Sequence, residues 1–206
     1  MRIAVVGGTG TFGRALAARL HELEQDVAIG SRDPVRAREQ AAVIGVDGGE
    51  NVEVVAGADY VVLATASGGA IDTARDLRDA IGTTPVLCVA SDLRFTKEGV
   101  VPGRSQGSVA EDVAALLDAP VASGYQSLPA AHLAHPDRLD QDVLVCGDHD
   151  VAKAPALELG AQLVSGRALD AGPLGNARAL ESMTAVILHV NRRYRVVAGL
   201  RLTGLR

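Results

Sequence analysis

The residues with the clearest chemical spacing lie at the start of the chain, in Gly8-Thr9-Gly10-Thr11-Phe12-Gly13. Glycines at these intervals let a backbone close around a pyrophosphate. Gly8 is expected to turn the chain sharply, and Gly10 to bring the main chain against phosphate with no Cβ in the way. Gly13 would let the following helix sit close to the sheet. The pattern carries weight only between a strand and a helix. Here Arg2-Ile3-Ala4-Val5-Val6 reads as an apolar strand, residues 14–23 as a helix, and Val27-Ala28-Ile29 as a second strand. The start of that helix would present unpaired N–H groups and a positive dipole end to the phosphates, with Thr9, Thr11 and Phe12 beside them.

The end of the second strand discriminates between dinucleotides. NAD-binding versions hold an acid there, about 20 residues past the glycines, for the ribose 2′-hydroxyl. This chain has Ser31-Arg32, with Arg36 one turn further on. A 2′-phosphate is matched by a hydroxyl donor and a guanidinium fork and repelled by a carboxylate. At about 1.5–3 kcal/mol per charge-assisted hydrogen bond, two such contacts favour NADP over NAD by roughly a hundredfold to ten-thousandfold. The residues therefore point to NADP(H). The segment Thr65-Ala66-Ser67-Gly68-Gly69 reads as a loop at the C-terminal end of a central strand, where Thr65 and Ala66 would flank the nicotinamide.

Other chemistry is poorly provided for. His132-x-x-His135 and Asp148-His149-Asp150 lack further ligands at interpretable spacing, so no metal site is expected. The histidines read as surface or supporting residues, Asp148 and Asp150 as turn and N-cap residues, and His21 and His189 as structural. No nucleophile elbow or Cys/His pair is present. Carbon-to-carbon hydride transfer between two bound cofactors needs no acid–base pair, only a protein that holds them face to face.

These residues need a parallel sheet to position them. The 206-residue chain is 48% apolar and 22% charged, which suits a folded domain with a sizeable core and excludes a disordered chain. A net charge of −5 argues against nucleic acid as a partner, and no apolar run is long enough for a membrane. A start without a signal segment suggests a cytoplasmic chain. Cys88 and Cys146 lie in apolar runs and read as buried free thiols. The aromatic residues are only Phe12, Phe95, Tyr60, Tyr125 and Tyr194, so a second planar substrate would rest on aliphatic side chains and the nicotinamide.

The spacing predicts a helix from Asp33-Pro34 through Val43, a short strand at Ile44-Gly45-Val46 and a turn at Asp47-Gly48-Gly49. It further predicts a helix over residues 70–80, a loop over 91–107 and a helix opened by a Ser108/Glu111 capping box. Strands are expected at 121–123, 143–146 and within 163–171, with a helix ending at Leu159 between the last two. The final helix, 176–194, is apolar on more than one side, which suggests packing on both the main domain and a second subunit. The expectation is an α/β protein with a Rossmann-type, doubly wound, mostly parallel sheet and a small C-terminal helical appendage. Residues 1–171 would bind NADP, and residues 172–206 would complete a second pocket and form a subunit contact.

The chain also resembles the NADPH-dependent reductases of coenzyme F420, a deazaflavin. The resemblance rests on residues 1–13, Gly30-Ser31-Arg32, Ala70-Ile71-Asp72-Thr73-Ala74-Arg75-Asp76-Leu77 and Leu128-Pro129-Ala130-Ala131. It continues in Val145-Cys146-Gly147-Asp148, Leu169-Asp170-Ala171-Gly172-Pro173-Leu174, and Asn176-Ala177-Arg178 with Glu181-Ser182. It implies direct hydride transfer between NADP(H) and F420, with small-molecule cofactors as the partners; the homodimer expected beside it rests on the apolar final helix. It places Thr9, Gly10, Thr11 and Phe12 on the pyrophosphate, Ser31, Arg32 and Arg36 on the 2′-phosphate, and Leu128, Pro129 and Ala130 in the deazaflavin pocket. Where the family usually has Pro-Trp and a His after the central strand, this chain has Ala66, Ser67 and Gly69, which enlarges the pocket beside the nicotinamide. The basic tail (Arg192, Arg193, Arg195, Arg201, Arg206) reads either as an attraction for the acidic coenzyme tail or as a solvated helix end. Two other readings stay open: an NADPH-dependent reductase of a flavin, ferric chelate or small imine, and a non-catalytic NADP-binding protein.

Overall fold

Alternate residues of the first strand face opposite sides. Ile3 and Val5 enter one buried apolar cluster, Ala4 and Val6 another. A sheet buried on both faces needs helices on both, and parallel strands supply them through their crossovers. The computed structural model describes residues 1–135 and 139–204 and has this arrangement. In chain order the elements are β1 (Arg2–Val6), α1 (Thr11–Glu22), β2 (Asp26–Ser31), α2 (Pro34–Ile44), β3 (Asp47–Glu50), α3 (Asn51–Val55) and β4 (Tyr60–Leu63). There follow α4 (Ser67–Asp76), α5 (Arg78–Ile81), β5 (Val86–Cys88), β6 (Leu93–Phe95), β7 (Val100–Pro102), α6 (Val109–Leu116) and β8 (Val121–Gly124). The last are α7 (Ala130–Leu133), β9 (Val143–Gly147), α8 (Asp150–Leu163), β10 (Ala168–Asp170), a 3-10 turn (Leu174–Asn176) and α9 (Ala177–Tyr194).

The main sheet runs β3-β2-β1-β4-β5-β8-β9-β10. The first six strands in that order are parallel. β9 then runs antiparallel to β8, and β10 parallel to β9. The fold is thus the doubly wound α/β type, with its order reversing between β1 and β4. On one face α8 is held by two buried tyrosines: the hydroxyls of Tyr60 and Tyr125 donate to the carbonyls of Ala152 (2.6 Å) and Ala156 (2.5 Å). Cys88 and Cys146 are buried and free, and burial pushes both thiols up to about 12.

Several local expectations need correction. Residues 44–46 are not a strand: Ile44 ends α2, Gly45 caps it at φ +90°, and the strand is Asp47–Glu50. The glycines that resembled a turn serve close packing, since a Cβ on Gly48 would lie 2.5 Å from Ala41 Cβ. The helix expected over 70–80 starts at Ser67 and breaks at Leu77 into α4 and α5. Residues 91–107 contain the hairpin β6–β7, whose three-residue strands are too short to show in the sequence. α8 runs on to Leu163 and carries Pro155 inside it. Its N-cap is His149, without a side-chain cap hydrogen bond, so Asp150 is the first helical residue and no cap.

α9 crosses the carboxyl edge of the sheet. Thr184 Oγ1 lies 3.3 Å from Ser91 Oγ, after β5, and donates to the carbonyl of Gln126, after β8, at 3.2 Å. The chain then folds back, with Asp142 accepting from the N–H of Leu202 and pairing with Arg167 at 2.9 Å. That pairing holds the buried Asp142 carboxyl down at about 2.

Candidate functional site

The carboxyl ends of β1, β2 and β4 meet where the strand order reverses, the place at which open parallel sheets form a ligand crevice. The sharp turn after β1 is made by Gly7, at φ +80°, one residue before the expected Gly8. Gly8 is instead a packing glycine, because a Cβ there would lie 2.5 Å from Ile29 Cβ. Gly13 sits the same way against Gly7, with only 2.6 Å between an added Cβ and the Gly7 carbonyl oxygen. The N–H of Gly10 closes the loop on that carbonyl at 2.9 Å. α1 then starts with no side-chain cap and no acid in its first turn, which leaves its leading N–H groups for an external anion.

At the end of β2, Ser31 Oγ accepts from Thr9 Oγ1 (3.3 Å) and from the N–H of Asp33 (3.2 Å). Arg36 donates from its guanidinium to the Thr9 carbonyl at 3.4 Å and so braces the glycine loop. Arg32 is exposed and makes no hydrogen bond or ion pair among the described residues. The neighbouring carboxylates are engaged. Asp33 caps α2 by accepting from the N–H of Arg36, and Glu50, paired with Ser31 across the strands, forms the capping box of α3.

Six predicted residues, Thr9, Gly10, Ser31, Arg32, Thr65 and Ala66, line one groove of about 290 Å³. Sequence reasoning missed Asn51 and Thr73 on its walls. Asn51 opens α3 beside Gly30, whose missing Cβ makes room for its side-chain oxygen. That oxygen and Thr65 Oγ1 are buried with no hydrogen-bond partner among the described residues. Each such group left without a hydrogen bond costs about 1–3 kcal/mol, so two lining one groove fit a polar ligand. The uncapped helix start, the glycine cradle, the unpaired Arg32 and these two orphaned oxygens together match a phosphorylated dinucleotide.

Thr65 and Ala66 precede α4, so the expected loop ends at Ala66 and Ser67-Gly68-Gly69 form the first helical turn. A Cβ on Gly68 or Gly69 would meet nothing within 4 Å, so this side of the groove is roomy. The remaining predicted residues lie elsewhere. Phe12 packs half-buried against the core, and Thr11 shares a separate groove with Ala130 between α1 and α7. Leu128 is buried, and Pro129 leads α7. His132 and His135 touch edge to face, and no group of three metal-ligating side chains occurs among the described residues.

Residues 2–90 match the family model described as NADP oxidoreductase coenzyme F420-dependent. The F420-dependent NADP reductase of Methanothermobacter thermautotrophicus is 32% identical, across 100% of this chain and 96% of its own. That of Methanocaldococcus jannaschii is 31% identical, across 100% and 99%. A solved chain from Arthrobacter sp. FB24 superimposes with a TM-score of 0.86 at 25% identity and 100% coverage of both chains.

Proposed function

The chain belongs to the family of F420-dependent NADP reductases, and from that premise we propose how its residues divide the work of passing a hydride between NADP(H) and F420. It is an oxidoreductase with these two redox partners. The observation that carries the assignment is the groove at the strand-order reversal, which joins an uncapped helix start to a guanidinium with no partner among the described residues.

Gly10, with the N–H groups of Thr11 and Phe12, holds the pyrophosphate, Gly8 and Gly13 let the loop and helix pack close enough for that, and Thr9 fixes the loop. Ser31 and Arg32 take the 2′-phosphate, while Arg36 holds the glycine loop at the right height. Asn51 supplies a buried acceptor for a ribose hydroxyl. Thr65 and Ala66 border the nicotinamide, and the segment Leu128-Pro129-Ala130, just beyond β8, borders the deazaflavin. Bound together, the two cofactors supply the hydride chemistry; the protein orients them and keeps water out, and no side chain exchanges a proton.

Residues 172–206 complete the second pocket and pair with a second copy of the chain. The outer face of α9 supports this. Ala179, Met183, Val186 and Val190, flanked by Val100 and Pro102 of the hairpin and Leu200 of the tail, line an apolar groove of about 770 Å³. Light scattering should return twice the chain mass, and Val186→Glu should return the single mass. No helix among the described residues is long and apolar enough to cross a membrane, and the protein works in the cytoplasm on soluble cofactors.

Oxidation of NADPH with a panel of acceptors tests the reaction. Turnover with F420 and not with flavin, ferric chelate or imine is expected. Turnover with those alone, or nucleotide binding without turnover, would reject it.

A further inference from the structure

A cluster of unpaired charge lies away from the dinucleotide groove among the described residues. Lys97, at the tip of the β6–β7 hairpin, and Arg192, Arg193 and Arg195, at the end of α9, line one hollow of about 350 Å³ with His189 and a single carboxylate, Glu98. None of the four cations forms an ion pair among the described residues, in a chain whose net charge is −5. The hollow is built by contact between the two elements. Thr96 closes the hairpin turn on Gly99, accepting from the Gly99 N–H (3.2 Å) and donating to the Gly99 carbonyl (2.9 Å). Gly99, at φ +147°, abuts His189: an added Cβ would lie 2.8 Å from its Nδ1.

A helix end attracts cations through its dipole, and Arg192 and Arg193 satisfy that preference alone. The dipole does not account for a lysine carried across on a separate hairpin. Nor does it account for Arg195, the C-cap of α9, which is held at φ +56°, ψ +45°. Glycine is the usual residue in that left-handed position, and an arginine there keeps a charge at a backbone cost.

We propose that this hollow binds the anionic tail of the deazaflavin coenzyme, a phosphodiester followed by γ-linked glutamates, and so selects tailed from tail-less deazaflavins. The proposal rests on the F420 reading of the redox site. The reach is suitable. Thr184 marks where α9 crosses the carboxyl edge of the sheet, and Arg192 stands eight residues on, about 12 Å at 1.5 Å per residue. A ring seated at the edge would thus send its side chain along α9 toward the arginines, which match phosphate and carboxylate bidentately.

Fluorescence titration of oxidised deazaflavin, with NADP+ at saturation so that no turnover occurs, tests this. The probes are F420 and the deazaflavin riboside that lacks phosphate and glutamates. R192Q/R193Q/R195G should bind F420 at least tenfold more weakly than the wild type and the riboside within twofold. K97Q, on the other element, should show a smaller loss in the same direction. Raising salt should remove the wild-type preference for F420, since exposed charges are screened. Unchanged F420 affinity in the triple variant, or equal losses for F420 and the riboside, would overturn the tail site alone. A wild type that binds neither probe would overturn the F420 reading and the tail site with it.

Discussion

At the start of α6 the molecule supplies its own anion. Glu181 of α9, 3% exposed, accepts from the N–H groups of Val109 (3.1 Å) and Ala110 (3.2 Å), and Ser108 caps the same turn by accepting from Glu111 at 3.0 Å. At the start of α1 the molecule supplies none: no side chain caps it and its first turn holds no acid. Both ends carry the same partial positive charge and the same surplus of donors. One is closed by a carboxylate from a distant part of the chain and fastens α9 to the domain. The other stays open at the point where glycines let a phosphate approach. A helix end filled from within therefore contributes stability, and one left bare is free to receive an anion.

That contrast predicts separable effects. Glu181→Ala strands two buried donors, so unfolding should become easier by about 2–4 kcal/mol. For a chain of this size that is a fall in Tm of about 5–15 °C, with NADP affinity changed less than about twofold. The pH dependence has a definite sign. Burial raises the Glu181 carboxyl above its ordinary value, while the N–H groups of Val109 and Ala110 and the charge of Arg104 pull it down by less. A carboxyl whose folded value exceeds its unfolded one loses stability as pH rises from the ordinary carboxylate range through the raised value. Glu181→Gln should flatten that part of the Tm profile. Arg32→Ala should do the reverse of Glu181→Ala, raising the KM for NADPH at least tenfold with little change for NADH and none in Tm. A large drop in Tm for Arg32→Ala, or unchanged NADPH preference, would break the contrast.

Two smaller substitutions sharpen it. Asn51→Ala should weaken NADP binding about threefold to tenfold without loss of Tm, because its side-chain oxygen has no partner to lose among the described residues. Gly68→Ala should raise Tm by about 1–4 °C, since its Cβ enters open space within a helix and glycine costs about 0.5–1 kcal/mol there relative to alanine. Nucleotide affinity should stay unchanged.

The open helix end was legible in the sequence because its parts are local. Gly8 to Gly13 follow one strand, and Ser31-Arg32 end the next. The filled end was not legible, since Glu181 reaches α6 across 71 positions, and no local pattern announces such a contact. Asn51 escaped for a related reason. Its place beside Gly30 depends on β3, and Gly48-Gly49 reads as a turn until α2 is packed against it. The capping residues Asp33 and Ser108 were readable because each acts on a backbone N–H three positions away. The hairpin escaped altogether, as two three-residue strands carry no period. It supplies one wall of the cationic hollow.

The two tyrosines under α8 carry a further consequence. The chain has no tryptophan, and Tyr60 and Tyr125 are two of its three tyrosines. Burial raises both phenols well above their ordinary range, and each hydroxyl is engaged by a carbonyl of that helix. Neither can become a phenolate until α8 lifts from the sheet. The ultraviolet absorbance of tyrosinate in alkali is thus an intrinsic optical gauge of that detachment, with no label required.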